Sequence, residues 1–251
     1  MPIPDFFHRR ITARHRKNFI RCLKDGNGWA TTHQDNAAKI QSHFESIMRR
    51  PPARKVDFNW EILGLRRHDL SPLVAPFSEQ EIKTAIDLLP VDKAPGPDGF
   101  TGLFLKTCWD IIKGDAMEAV NAFHALRCGS LSLINTANVL LIPKKEGADE
   151  VGDFRPISLI HSFIKLISKT LALRLQPHMN AIVSTCQSAF IKRRSIHDNF
   201  MAVHSAARRF HRNKIPALFL KLDIAKAFDS ISWEYLLALL EHLGFPTRRR
   251  D

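Results

Sequence analysis

The spacing of apolar residues along the chain predicts mostly helices, with a few short strands between them. Ile82, Ala85, Ile86 and Leu89 recur at the three- and four-residue intervals of a buried helix face. The serine of Ser78-Glu79-Gln80-Glu81 predicts a capping box at the start of that helix. The same periodicity predicts helices over residues 34–48, 102–112, 115–127, 163–175 and 195–210, and a last helix that Ser232 caps.

The helix over residues 163–175 has the clearest division between an apolar and a charged side. Pro177 ends or redirects it, since proline cannot continue a helix. We expect Leu166, Ile167, Leu171, Ala172 and Leu175 to face inward, and Lys165, Lys169 and Arg174 to face solvent.

Three stretches favour strands. Asn138–Ile142 is a short apolar run that Pro143 ends, and a polar loop then returns through Gly152 to Phe154-Arg155-Pro156, which predicts a hairpin. A smaller hairpin is predicted between Phe19–Leu23 and Trp29–Thr31, around the turn at residues 25–28. Leu218–Leu222 predicts a buried strand that ends at an acid, Asp223. The fold class is therefore α/β (α+β) and helix-rich, and the proline-containing residues 50–76 are the best candidate for a linker.

Net charge narrows the partners that this chain is expected to bind. The formal net charge is +12, and residues 1–55 hold twelve Lys or Arg against four acids, a local net charge of +8. A chain this basic predicts an anionic partner, of which nucleic acid is the first candidate. The proposed contacts are clustered near the N-terminus: Arg9, Arg10, Arg14, Arg16 and Lys17. The alternative is a solvated helical face on a basic protein with no such partner.

Other classes of protein are disfavoured by what the sequence lacks. No run of 18 apolar residues predicts a transmembrane helix, and the N-terminus lacks the apolar core of a secretory signal. Cys22, Cys108, Cys128 and Cys186 are widely spaced and form no Cys-x-x-Cys pair, so we expect free thiols and no zinc site. We therefore expect an intracellular protein.

Two short motifs have residue types that suit phosphate and metal chemistry. A carboxylate at the end of a buried strand, as predicted for Asp223, suits Mg²⁺, which prefers oxygen ligands. The alternative is a solvated turn acid. The loop Lys93–Gly99, KAPGPDG, combines prolines that fix φ with glycines that permit close backbone approach. It is suited to contact with a nucleic-acid backbone, or is simply a stiff connector.

Four ordered strings resemble the reverse transcriptases of non-LTR, LINE-type retrotransposons, most closely those of plants. They are KAPGPDG (93–99), LIPKKEGADEVGDFRPISL (141–159), QSAFIKRRSIHDN (187–199) and ALFLKLDIAKAFDSISWEY (217–235). The resemblance covers nearly the whole chain. It implies a right-hand polymerase in part: the fingers with the first palm strand and helix, and no thumb. The implied domains are a basic N-terminal region, 1–76, and a partial reverse transcriptase domain, 77–251.

The resemblance also implies residue roles. The hairpin around residues 138–156 would hold the incoming deoxynucleoside triphosphate through Arg155 and, more weakly, Lys144 and Lys145. Asp223 and the carbonyl of Ile224 would bind magnesium, and Phe228 would contact the sugar. Contacts to the RNA template, the DNA primer or their hybrid are implied for Lys93, Lys192, Arg193 and Arg194.

Two departures from the family pattern stand out. The family completes its metal site with an aromatic-Ala-Asp-Asp string, and no Asp-Asp pair occurs in this sequence. The chain alone is therefore predicted to hold an incomplete magnesium site and to be inactive. The alternative is a non-enzymatic nucleic-acid-binding remnant of a polymerase. In addition, Arg193 occupies the position before Arg194 where the family has glycine, so we expect a strained turn there.

Overall fold

The computed structural model describes residues 8–12, 18–25, 28–48, 58–127, 129, 131–224 and 231–247. Its described part is helix-rich, with two small antiparallel sheets of two strands each. Residues 8–12 are helical (α1). The other helices are α2 (His33–Met48), α3 (Glu79–Asp87), α4 (Gly102–Thr107), α5 (Trp109–His124), α6 (Ser162–Leu175), α7 (Met179–Ile182), α8 (Ile196–Arg212) and α9 (Trp233–His242).

Each sheet is a hairpin of strands adjacent in the chain. β1 (Leu23–Asp25) pairs with β2 (Gly28–Ala30), and β3 (Ala137–Pro143) pairs with β4 (Phe154–Ile160). Short 3-10 turns occur at Ser71–Val74, Val151–Asp153 and Gln176–His178. Both predicted hairpins and the mixed fold class are thereby confirmed, although the first strand of the small hairpin begins at Leu23, the residue at which it was predicted to end. None of the described helices is long and apolar enough to cross a membrane.

The predicted helices are present, with one boundary in the wrong place. The break expected between residues 112 and 115 falls at Cys108, between α4 and α5. Gly114 is inside α5, where a single glycine weakens a helix by only about 1 kcal/mol and need not end it. Pro177 ends α6 as expected, because the chain tightens there into a 3-10 turn.

The chain divides into two compact units that each draw on separate stretches of sequence. Unit 1 consists of Met1–Arg50, Pro90–Thr107 and Gly129–Lys165, and unit 2 consists of Pro51–Leu89, Cys108–Cys128 and Leu166–Asp251. In unit 1, Leu23, Val151 and Phe154 form a buried apolar cluster. Ile40 and Phe44 of α2 pack against this cluster. The small hairpin and the base of the β3–β4 hairpin therefore share one core.

In unit 2, the start of α3 is fixed by a reciprocal cap. The Ser78 hydroxyl accepts a hydrogen bond from the Glu81 backbone N–H at 3.2 Å, and the Glu81 carboxylate accepts one from the Ser78 N–H at 2.9 Å. Both halves of the predicted capping box are thus confirmed. The inward face is confirmed as well, because Ile82, Ala85 and Ile86 are fully buried.

Arg174 on α6 ties this capped helix start to the rest of unit 2. Its Nε and Nη2 atoms lie 2.6 Å and 2.8 Å from the two carboxylate oxygens of Glu81. The remaining guanidinium N–H groups donate to the backbone carbonyls of Leu73, Ala75 and Pro76. The guanidinium carbon lies 4.1 Å from the centre of the Phe77 ring. All five donors of the guanidinium are therefore satisfied within the protein.

The outward orientation predicted for Arg174 is therefore wrong. Its side chain is only 10% exposed. Helical periodicity assigned it to the charged side of α6, but segment 71–77 covers that side and offers unpaired carbonyls that a guanidinium satisfies. Ala172, predicted to face inward, is exposed, whereas Leu166 and Ile167 are buried as expected.

The described part of the candidate linker, residues 58–76, packs within unit 2. The Trp60 ring stacks on His242 at 4.4 Å and on Tyr235 at 6.1 Å between ring centres. The backbone N–H of His68 donates to the carbonyl of Leu243. Leu70 and Leu73 are buried. Apolar residues without periodicity can therefore still belong to a core when the chain is irregular.

The strand predicted at Leu218–Leu222 does not form. Residues 215–224 have no helical or strand hydrogen bonding, and Leu218, Phe219, Leu220 and Leu222 are each more than two-thirds exposed. A strand needs a neighbour to pair its backbone N–H and C=O groups. Among the described residues, β1 to β4 pair only within their own hairpins, so none is adjacent to this segment. Ser232 caps α9 as predicted, by accepting from the Tyr235 N–H.

A polar turn between α7 and α8 is held from inside by Arg194. Its guanidinium donates to the carbonyls of Val183, Ser184 and Gln187 and to Oδ1 of Asn180. From the other side, the Asn199 side-chain amide donates to the Cys186 carbonyl at 2.9 Å and to the Ser188 hydroxyl at 3.1 Å. We call residues 183–195 the Arg194 turn. Ser195 ends it and caps α8 by accepting a hydrogen bond from the His197 N–H.

Within the Arg194 turn, Arg193 adopts the left-handed conformation, with a φ of 68°. This conformation is natural for glycine and costs other residues about 1–2 kcal/mol. The expectation of strain at Arg193 is thereby confirmed. Phe190 in the same turn also has a positive φ, of 65°.

We predict that Arg174→Met lowers the free energy of unfolding by about 3 kcal/mol, because the Glu81 carboxylate and three carbonyls lose their donor. Urea denaturation monitored by circular dichroism measures this. The control is Lys83→Met on α3, which removes an exposed ion pair with Asp87. It should cost less than about 0.5 kcal/mol. Equal losses in the two variants would contradict the central role of Arg174.

The same interaction predicts a specific acid dependence. The hydrogen bond from Arg174, opposed by burial and helped by Ser78, lowers the pKa of Glu81 from 4.5 to about 2. This contribution to stability is fully present above pH 4.5 and is lost as the pH falls through about 2. The wild-type curve of stability against pH should therefore be steeper than that of Arg174→Met between these two values.

We also predict that Arg193→Gly raises the free energy of unfolding by about 1 kcal/mol, because glycine adopts a positive φ without steric cost. The matched control is Lys192→Gly. Lys192 is also exposed but has no positive φ, so glycine there should lower stability by roughly 0.5–1 kcal/mol. Destabilisation by both substitutions would show that Arg193 is not strained.

Candidate nucleotide and nucleic-acid site

The β3–β4 hairpin of unit 1 brings together three of the predicted site residues. The register pairs Ile142 with Arg155 and Pro143 with Phe154, so Arg155 lies at the loop end of the hairpin. Lys144 and Lys145 follow directly after Pro143, on the opposite side of the same loop. Phe154 is buried in the unit 1 core, which fixes the base from which Arg155 projects.

The two lysines are held within the loop. The Lys144 ammonium donates to the Gly152 carbonyl at 2.7 Å, and its backbone N–H donates to the carbonyl of Asp153. The Lys145 ammonium lies 2.9 Å from the Asp153 carboxylate. Hydrogen bonding to Asp153 raises the pKa of Lys145, and hydrogen bonding to Lys145 lowers the pKa of Asp153. Both groups are therefore charged at neutral pH.

Arg155 differs from these lysines. It is exposed and makes no ion pair or side-chain hydrogen bond with any residue that the structure describes. A guanidinium offers planar, paired donors that match phosphate oxygens. Of the three cations at this end of the hairpin, Arg155 is the one whose side-chain donors make no bond to any residue that the structure describes.

The KAPGPDG loop is anchored next to β4, also in unit 1. A Cβ on Gly96 would lie 2.0 Å from the Ile160 carbonyl oxygen, so only glycine fits there. The Asp98 carboxylate accepts a hydrogen bond from the backbone N–H of Ser162, the first residue of α6. Burial raises the pKa of Asp98, but the hydrogen bonds from Ser162 outweigh it and leave the pKa below its usual range.

This arrangement favours the stiff-connector interpretation of the loop, with one cation left exposed. Asp98 satisfies an N–H at the start of α6 from 64 residues away in sequence, a cap that local motifs do not reveal. The Lys165 ammonium donates to the Ala94 carbonyl at 3.3 Å. Lys93 itself is exposed.

In unit 2, the three cations of the Arg194 turn that are predicted to contact nucleic acid have different surroundings. The guanidinium of Arg194 is used internally, as described above, whereas Lys192 and Arg193 are exposed. Arg194 thus positions the turn, and its two neighbours are the residues that face solvent.

Asp223 and Ile224 lie in the exposed, irregular end of segment 215–224. No group of three His, Cys, Asp or Glu side chains within reach of one metal ion occurs among the described residues. These residues supply a single carboxylate, which does not by itself make a magnesium site. Phe228 and Asp229 lie outside the described residues.

The N-terminal cations are described only in part. Arg9 and Arg10 are exposed on α1, and Arg10 has a partner within the protein. Arg14, Arg16 and Lys17 lie outside the described residues. The free thiols expected for Cys22, Cys108 and Cys186 are confirmed, and Cys128 is also outside the described part.

The N-terminal cluster is not the main concentration of positive charge, because a second basic stretch lies further along the chain. Residues 154–222 hold twelve Lys or Arg and one acid, Asp198, for a net charge of +11. The signal was present in the spacing of the acids, because no other Asp or Glu occurs between Asp153 and Asp223. Several of these cations are exposed in unit 2: Lys192, Arg193, Arg208, Arg209, Arg212, Lys214 and Lys221.

Comparisons with known proteins agree with these motifs. The family "Reverse transcriptase (RNA-dependent DNA polymerase)" matches residues 142–250, which include Arg155, the Arg194 turn and Asp223. Over 96% of its length the chain is 31% identical to the "Transposon TX1 uncharacterized 149 kDa protein" of Xenopus laevis, of which it covers 19%.

Two further relatives are retrotransposon polyproteins. The "Retrovirus-related Pol polyprotein from type-2 retrotransposable element R2DM" of Drosophila melanogaster is 29% identical over 90% of this chain and 20% of its own length. A Pol polyprotein from type-1 retrotransposable element R2 of Nasonia vitripennis is 30% identical over 73% of this chain and 17% of its own. The chain thus spans about a fifth of the length of these relatives. The ordered motifs and these matches show that the chain belongs to the reverse transcriptase family of non-LTR retrotransposons.

Proposed function

We propose that this chain forms the fingers and the first part of the palm of an RNA-directed DNA polymerase. Its function is to bind a deoxynucleoside triphosphate and an RNA template with its DNA primer. The observation that carries the proposal is Arg155, an exposed guanidinium at the loop end of a hairpin within the matched family region. A triphosphate needs fixed positive charge, and the buried Phe154 next to Arg155 fixes the backbone there.

The lysines of the hairpin have a supporting role in this proposal. Lys144 bonds to Gly152, and Lys145 pairs with Asp153, so the loop keeps its shape without a ligand. Both ammonium groups remain near the loop end and add positive potential there. We assign the direct phosphate contact to Arg155 and the weaker electrostatic contribution to the two lysines.

Exposed cations are proposed to contact nucleic acid. The residues are Lys93, Lys192 and Arg193, together with the N-terminal set Arg9, Arg10, Arg14, Arg16 and Lys17, while Arg194 holds the turn from inside. Residues 1–76 then serve as a basic extension of the polymerase part, 77–251. We also propose that the protein acts inside the cell, with the nucleus as the candidate compartment. We further propose that it is of the plant type of these retrotransposon reverse transcriptases.

Polymerisation requires more carboxylate ligands for metal ions than the described residues provide. Reverse transcriptases use divalent metal ions, and we assign Asp223 and the Ile224 carbonyl as ligands for magnesium, with Phe228 at the sugar. The metal would neutralise phosphate charge when bound. Because the sequence has no Asp-Asp pair, we propose that the chain alone binds substrates but does not polymerise them.

We predict no primer extension on an RNA template by the isolated chain with Mg²⁺ or Mn²⁺, because one carboxylate cannot hold two cations about 4 Å apart. Wild type and Asp223→Ala should be equally inactive. Extension that disappears in Asp223→Ala would overturn the prediction.

We predict that the isolated chain, although inactive in primer extension, still binds a nucleotide. A fluorescent deoxynucleoside triphosphate should bind roughly ten- to a hundredfold more weakly to Arg155→Ala, since a charge-assisted contact is worth roughly 1.5–3 kcal/mol. Arg127→Ala, which removes another exposed arginine, is the control and should bind as wild type does. Equal affinity of wild type and Arg155→Ala would remove the observation on which the proposed function rests.

We further predict that binding to RNA or to an RNA–DNA hybrid weakens steeply with salt and depends little on sequence. The slope of log affinity against log salt should be roughly −0.7 to −0.9 for each phosphate contacted. Alanine at Arg9, Arg10, Arg14, Arg16 and Lys17 should weaken binding alike on all sequences and flatten the slope.

The control for that variant removes the same charge elsewhere. Alanine replaces five cations to which no binding role is assigned: Arg66, Arg67, Lys106, Lys113 and Arg127. Filter binding at several salt concentrations separates the two variants. Equal losses would mean that net charge, and not the N-terminal cluster, determines affinity. A salt-independent wild type would contradict the phosphate contacts themselves.

A further inference from the structure

Phe190 in the Arg194 turn is almost completely exposed. Its side chain is 95% accessible to solvent, and its backbone has a φ of 65°. Single exposed apolar residues are common on protein surfaces and need no explanation. A bulky side chain in the left-handed region is uncommon, however, because its Cβ is close to the following carbonyl.

The turn fixes this conformation from both sides of Phe190. Ser188 and Ile191 are buried, with 8% and 7% exposure. The Gln187 carbonyl accepts from Arg194, and Ser188 accepts from Asn199. A strained conformation persists only where its surroundings over-determine it, and such positions are concentrated at binding sites. The Phe190 ring is therefore presented on a rigid support.

Charge next to the ring indicates the chemistry of its partner. Lys192 and Arg193 follow within three residues and are exposed. Asp198 is the one acid between residues 154 and 222. An exposed ring beside two cations matches a polyanion whose units carry flat apolar faces. Single-stranded nucleic acid has both features, since each base offers a π face and each link a phosphate.

We propose that Phe190 stacks on an unpaired base of a nucleic-acid strand whose phosphates lie against Lys192 and Arg193. The proposal rests on the nucleic-acid binding proposed above and adds the residue that contacts a base. An unpaired base is required because both faces of a base inside a duplex are covered by its neighbours. Base stacking depends little on sequence, so the site should accept all four bases.

The test uses the full chain and a single-stranded RNA with 2-aminopurine at successive positions. Wild type should quench the fluorescence of one or two positions. Phe190→Ala should remove that quenching and weaken binding roughly tenfold, while Phe190→Trp should retain both. The salt slope should be unchanged in Phe190→Ala, because no phosphate contact is lost. Arg193→Asn, which tolerates a positive φ, should instead reduce the slope by about one contact.

Phe219→Ala is the matched control, because Phe219 is another exposed phenylalanine of unit 2, at 73%. It should bind and quench as wild type does. The stacking proposal is overturned if Phe190→Ala binds and quenches like wild type, or if it loses the same affinity for a strand of abasic sites. A wild type that binds no RNA at all would overturn the proposed nucleic-acid function as well. Retention of the wild-type unfolding midpoint by Phe190→Ala confirms that the turn is intact.

Discussion

The guanidinium of Arg174 is the interaction on which unit 2 most depends. It joins α6 to the capped start of α3 through Glu81 and satisfies carbonyls of the irregular segment 71–77. Glu81 in turn holds the backbone N–H of Ser78, so the helix cap and the ion pair share one carboxylate. Because these bonds share atoms, losing Arg174 would leave several polar groups unsatisfied at once. The segment they hold leads directly into α3.

Arginine has two distinct uses in this chain. Arg174 and Arg194 turn inward and satisfy carbonyls where the backbone is irregular and lacks its own partners. Arg155 and Arg193 are exposed, on backbone that other residues hold in place. The inward arginines thus stabilise the supports, and the outward ones are the residues to which the proposed function assigns ligand binding. Lysine would not replace the inward pair, because an ammonium offers three donors from one point and cannot reach carbonyls spread over several residues.

Local signals predicted the elements whose stabilising contacts are close in sequence. The capping box at Ser78, the helix over 163–175 and the β3–β4 hairpin all depend on spacing within a few residues, and all are present. The glycine-like φ of Arg193 followed from a departure within one motif. Contacts between distant residues could not be read in this way. The inward orientation of the Arg174 side chain depends on backbone carbonyls about 100 residues earlier in the sequence. The cap that the Asp98 carboxylate forms at Ser162 spans 64 residues.

Segment 215–224 shows the limit of pattern reasoning for the candidate site itself. Its apolar residues are typical of a strand. A strand also needs a neighbouring strand to pair with, and the composition of one segment does not show whether that neighbour exists. In the described residues no second strand pairs with it, and Asp223 therefore stands on an irregular chain. The cations that would bind substrate, in contrast, stand on supports that are complete: Arg155 on the hairpin and Arg193 on the Arg194 turn. Binding a polyanion needs charges on a stable surface, whereas phosphoryl transfer needs carboxylates fixed relative to each other. In this chain the first requirement is met by local structure, and the second depends on a sheet that these residues do not build.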